Sequence, residues 1–185
     1  MTEVRLRART VSELVDAAFA LYRQDSGQYM LLTAFAITPQ LITSILLQPG
    51  VGLGLGTTLV AIISLLVSGF TYTVGGAAII KFGAAVYLGD EADLEATLQA
   101  VIPKIGPILW AGFLKALLYF VGFLFFFVGE FYVAARYFAV TAAIVLEDAR
   151  TTQAFARSTA LSNGRKRHIL TTLLLVWIIY ALLSA

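Results

Sequence analysis

The chain has no cysteine, and His168 is its only histidine. Without cysteine there are no disulfides, no thiolate metal sites and no cysteine nucleophile. A lone imidazole forms no His/Cys cluster that could hold a metal. As a general base, His168 would need an orienting partner and a nucleophile close by. Its neighbours are Arg165, Lys166 and Arg167, and the adjacent pair Glu147 and Asp148 has no second acidic motif to complete a site. No catalytic, metal or cofactor residue is therefore named, and an enzyme acting on lipids ranks last among the functions considered. Charge is scarce too, at 13% of residues against about 25% in soluble domains. From Ser26 to Ile80 there is no Asp, Glu, Lys or Arg in 55 consecutive residues.

What fills the uncharged stretch is apolar, and the mean hydropathy of the chain is +0.87. A helix rises ~1.5 Å per residue, so about 20 apolar residues cross a ~30 Å hydrocarbon layer. The stretch is long enough for two crossings, and Gln48-Pro49-Gly50-Val51-Gly52 breaks it between two apolar runs. The glycines at 50, 52, 54 and 56 superficially resemble a phosphate loop, but no strand precedes them and no lysine follows.

The pattern predicts an all-α, multi-pass transmembrane helix bundle, a single integral membrane domain over 1–185. About five spans are expected, at 29–47, 53–80, 108–128, 131–146 and 169–185. Three amphipathic helices, at 10–24, 92–102 and 151–161, are expected to lie in the headgroup plane. Thr10 or Ser12 caps the first of these, Pro103 and Pro107 stop the second, and Asn163-Gly164 stops the third. The charged N-terminus has no apolar run behind it until residue 29, unlike a cleavable signal peptide. Lys and Arg concentrate in the head and in the connectors at 81–104 and 147–168, while those at 48–53 and 129–130 have none. That asymmetry predicts a cytoplasmic N-terminus in a bacterial inner membrane. The amphipathic-helix-then-span unit also recurs weakly near residues 10, 92 and 151.

Several residues in the spans invite a role. Gly69, Thr73, Gly76 and Gly83 form a seam of small side chains where another helix can approach closely. Gln40, Ser44 and Gln48 share one face of the first span; they read as the wall of a polar path or as interhelical hydrogen bonds. Lys115 sits just inside the third span and can snorkel to its boundary. Glu130 precedes the fourth span and Arg136 sits inside it, six residues and hence ~120° apart, so a direct pair requires the helix to begin after Glu130. Arg165, Lys166 and Arg167 are a juxtamembrane basic run, able to attract lipid headgroups or simply to set topology. Ten aromatics between Tyr119 and Phe138 suit an outer aromatic belt or a greasy docking face for a partner helix, lipid or pigment. No basic domain stands clear of the membrane to bind nucleic acid.

Two segments, Arg9 to Arg23 and Val145 to Leu161, carry a resemblance to a broad bacterial group. The chain resembles the membrane domain fused to some glycerophosphodiester phosphodiesterases and its stand-alone relatives of unknown function. The resemblance implies a helical membrane domain, usually with six spans; the phosphodiesterase domain is not in this sequence, so its activity does not carry over. The functional expectation is a non-catalytic accessory or scaffold subunit binding another membrane protein or lipids through its helix faces, with oligomers possible. The alternative is a transporter or channel component with a polar intramembrane path.

Overall fold

The computed structural model describes residues 10–46, 54–90, 92–124 and 128–184. It is all-helical, with no strand among the described residues. Arg5, Arg7 and Arg9, the Gln48–Gly52 turn and the aromatics Phe125 to Phe127 lie outside them.

α1 spans Val11–Gln24 and starts on a capping box: the Thr10 backbone N–H donates to Glu13 Oε2 at 2.8 Å, and the Glu13 N–H donates to Thr10 Oγ1. Only Asp25 separates it from α2, Ser26–Leu46, which continues through Pro39. A proline there deprives the ladder of one donor; around it, the Thr38 and Thr43 hydroxyls bond back to the carbonyls of Ala34 and Pro39.

α3, Leu55–Leu88, runs 34 residues, about 51 Å at ~1.5 Å each. It ends where Gly89 takes φ 77° and the N–H groups of Gly89 and Asp90 close onto Val86 and Ala85, a left-handed stop that glycine adopts freely. α2 and α3 form an antiparallel hairpin. Thr71 donates to the Ala36 carbonyl at 3.3 Å, Gly75 abuts Ala36, and Gly83 faces the Tyr29 hydroxyl.

α4, Leu94–Val101, begins on the Asp93 cap, whose carboxylate accepts the Ala96 N–H at 2.9 Å. A 3-10 turn at Ile102–Lys104 joins it to α5, Ile105–Leu124. Pro103 tightens the turn without ending the helical path, and Pro107 falls in the first turn of α5, where a missing N–H has no partner to lose.

Among the described residues, three stretches are long and apolar enough to cross a membrane: Leu55–Leu88, Leu94–Leu124 and Gly129–Leu146. They fit a membrane protein. The last is not one helix. It breaks into α6, Val128–Arg136, and α7, Val140–Leu146, so the expected fourth span, which holds Arg136, contains an interruption that its sequence does not mark. α8, Thr151–Ser162, and α9, Lys166–Ser184, follow.

The core lies at one end of the molecule. Tyr29 and Leu32 of α2, Val74 to Phe82 of α3, Val101, Ile108, Ala111, and Val140 to Val145 of α7 close around each other, with Phe82 fully buried and Tyr29 edge-on to its ring at 4.9 Å. The opposite half of the α2–α3 hairpin is bare. From Leu55 to Phe70 no residue is buried, and Leu55, Leu65 and Leu66 stand 86%, 73% and 68% exposed.

Candidate functional site

Tyr137, Phe138 and Ala139 interrupt the apolar run between α6 and α7. An interrupted helix leaves backbone donors and acceptors without partners, and burying them unpaired is costly. One side chain answers both. Ser158 of α8 is fully buried; its Oγ donates to the Arg136 carbonyl at 3.0 Å and accepts from the Ala139 N–H at 3.1 Å. A hydroxyl is both donor and acceptor, so a single serine can bridge the gap. Beside it, Tyr137 meets Phe155 edge-on at 5.0 Å.

Two cations converge next to the break. Arg136 Nη1 donates to the Tyr132 hydroxyl at 2.6 Å and its Nε to Thr159 Oγ1 at 3.4 Å, while its guanidinium lies 5.7 and 5.6 Å from the rings of Tyr132 and Tyr137. Lys166, at the start of α9, places Nζ 4.4 Å from the centre of the same Tyr132 ring. Aromatic faces attract cations, but a neutral ring does not cancel their charge. Arg136 and Glu130 do not pair. The ion pairs among the described residues are Lys104–Asp148 and Arg157–Glu147, and both lie at the other end of α7.

At that lower end, Lys104 donates to the Val145 carbonyl at 2.8 Å and pairs with Asp148. The hydrogen bond and charge of Lys104, with a smaller push from Lys81, hold the Asp148 carboxyl below the usual carboxylate range. Asp148 itself takes φ 54°, a left-handed backbone that aspartate tolerates better than most side chains. Arg157 Nε bonds both oxygens of Glu147, at 3.1 and 2.9 Å. Thr151 donates to the Pro107 carbonyl at 3.3 Å.

These contacts rank α8 along the bundle. Thr151 sits by the first turn of α5, Ser158 by the α6–α7 break, and Lys166, just past α8, by Tyr132 in the second turn of α6. α8 therefore packs along α7, with Ala154, Ser158 and Ser162 turned inward. In the basic run, Lys166 is half-buried on Tyr132, while Arg165 and Arg167 are exposed.

The remaining expected residues are dispersed. Gln40 and Ser44 are exposed on α2, the latter bonding the Leu41 carbonyl, and Gln48 lies outside the described residues. Lys115 is half-buried and donates to Thr141 of α7 at 3.2 Å. α2 packs on α3 and α1, which sets Gln40 and Ser44 on a different helix pair from Lys115 and Arg136. In the small-residue seam, Thr73 touches Gly112 of α5 and Gly83 faces Tyr29, but a side chain added at Gly69 or Gly76 would meet nothing within 4 Å. The tight approaches are elsewhere. A Cβ on Gly75 would sit 2.7 Å from the Ala36 Cβ, one on Gly122 2.8 Å from the Gly129 backbone, and one on Gly129 2.7 Å from Gly122.

Ser158, Tyr132 and Thr159 do not stand out in the sequence as a site. The available signal was Ala154, Ser158 and Ser162, small residues at helical spacing on an otherwise polar helix. Scans against protein-family models, curated proteins and solved structures find no match, so the resemblance carried by residues 9–23 and 145–161 rests on those segments alone.

Proposed function

We propose that this chain is a non-catalytic integral membrane protein, an accessory or scaffold subunit that binds another membrane protein or lipids through its helix faces. The uncovered half of the α2–α3 hairpin carries the reading. Leu41, Ile42 and Ile45 on α2 and Leu55 to Phe70 on α3 expose two adjoining apolar helix faces with no third helix against them among the described residues. Contiguous apolar surface of this kind marks a lipid or protein contact, and the open Gly69 lets a partner backbone approach closely. In this reading α2 and α9, at 21 and 19 residues, join the three apolar stretches to give five crossings of a bacterial inner membrane. The lysine and arginine asymmetry puts the N-terminus in the cytoplasm.

A photo-crosslinking residue at Leu59 or Leu66, activated in the native membrane, tests the contact. A discrete protein adduct or a co-purifying lipid is expected at both positions. A lone monomer carrying neither would overturn the reading.

One observation favours the alternative of a transporter or channel component. The α6–α7 interruption is a discontinuous helix, a device that lines substrate sites in transporter folds. Its weakness is the dispersal of Gln40, Ser44, Lys115 and Arg136 over separate contacts. Ion or solute flux through proteoliposomes of the purified chain, lost on Lys115→Met, would decide for it.

A further inference from the structure

We infer that Arg136, Lys166 and Tyr132 form a binding site for a phosphate-bearing anion beside the α6–α7 break. The inference rests on the membrane setting proposed above, but not on the hairpin having a partner.

The argument is one of charge balance. Both cations reach the Tyr132 side chain, one at its hydroxyl and one over its ring. Both are half-buried, and neither has a carboxylate within ion-pair distance among the described residues. Of the other cations drawn into the bundle contacts, Lys104 and Arg157 have acidic partners and Lys115 stands alone on Thr141 of α7; only Arg136 and Lys166 gather two positive charges on one side chain. Two half-buried positive charges gathered on one tyrosine repel, and charge partly stripped of water costs free energy unless it is compensated. An anion between them removes that cost.

The donors also suit a tetrahedral oxyanion. Arg136 uses Nε and Nη1 on Thr159 and Tyr132, and its guanidinium has further N–H groups to give. Lys166 offers an ammonium with three donors, and the Tyr132 hydroxyl, accepting from Arg136, keeps its own proton to donate. Three donors of different reach, two of them charged, match the several oxygens of a phosphate better than the two of a carboxylate. Tyr132 is 45% exposed, so the cluster opens outward and a headgroup can enter. The phosphate could belong to an anionic phospholipid or be free in solution.

The experiment uses the full chain purified in detergent and stripped of lipid, titrated with phosphatidylglycerol or phosphatidylcholine, with bound lipid counted by native mass spectrometry. The wild type is expected to retain phosphatidylglycerol about tenfold more tightly than phosphatidylcholine, whose choline adds a repelled cation. The Arg136→Gln/Lys166→Gln double variant loses that preference. Arg23→Gln/Arg150→Gln, which removes two exposed charges elsewhere, keeps it. Competition by inorganic phosphate would identify a free phosphate as an equivalent ligand; preference without competition would assign the site to lipid. Should the double variant fold poorly by circular dichroism, Tyr132→Phe, which removes one hydroxyl, is expected to weaken retention severalfold. Equal retention of both lipids by the wild type with no phosphate binding overturns the site. So does a preference that survives the double variant, or one that falls equally in the Arg23/Arg150 control. Failure to crosslink at Leu59 and Leu66 would leave these outcomes unchanged.

Discussion

Ser158 is the residue on which the break between α6 and α7 depends. Its hydroxyl serves two backbone groups at once, 3.0 and 3.1 Å away, from a fully buried position. Ser158→Ala leaves the Arg136 carbonyl and the Ala139 N–H unpaired. The expected loss is about 1–3 kcal/mol of stability, because an unmade buried bond costs more than a made one contributes. Unfolding in mixed micelles measures it, and Glu147→Gln, acting on an exposed pair, serves as a near-neutral comparison. Local sequence could not announce this residue. The run from Phe131 to Leu146 contains neither proline nor glycine, so nothing within it marks an interruption. Tertiary contact with α8 holds the break, and tertiary contact is what a local pattern does not encode. The helix ends are different. The Thr10 cap and the stop at Asn163-Gly164 are set by neighbours in sequence, and they are legible there.

At the scale of elements, glycine matters through proximity. Gly122 and Gly129 bring the backbones of α5 and α6 into direct contact, with a hypothetical Cβ under 3 Å from backbone atoms on either side. Backbone cannot rotate aside as a side chain tip can. Gly122→Ala and Gly129→Ala are each expected to cost about 1–3 kcal/mol by overpacking. Gly69→Ala and Gly76→Ala meet open space, and should be neutral or stabilising by up to about 1 kcal/mol through helix propensity. Thermal melts of the four variants in one detergent rank them, and a reversed order would refute the packing scheme. Small-residue spacing alone suggested α3 as the packing hub, but spacing cannot say which side of a 34-residue helix is covered. Nor could amphipathicity say that α8 packs along α7. A helix with a small, inward stripe and a polar remainder has the same pattern whether it lies on a membrane or stands beside α7.

For the whole molecule, the question is which segments share a side. Ser12 on α1 and Gln99 on α4 are exposed at the core-bearing end, and Thr58 is exposed at the far end of α3. The chain contains no cysteine, so single-cysteine variants report cleanly. Ser12→Cys and Gln99→Cys are expected to react with an impermeant maleimide from one side of a vesicle, and Thr58→Cys from the other. Labelling of Ser12→Cys and Gln99→Cys from opposite sides would undo the crossing pattern. The all-helical class was legible because 55 uncharged residues leave few alternatives; the depth of each helix was not, because depth follows from contacts between elements.

α3 couples the two ends of this protein as one rod. Tilted by as much as ~40°, a helix of about 51 Å still stands about 39 Å high against ~30 Å of hydrocarbon. Some of it has to emerge, and the end bearing Lys81 and the packed core is the one with charge to meet water. The core-bearing end then behaves like a float, its draught set by the length of the surrounding acyl tails. A thicker bilayer would pull the acidic rim of Asp90, Asp93 and Glu95 down toward the phosphates, and a thinner one would raise it clear.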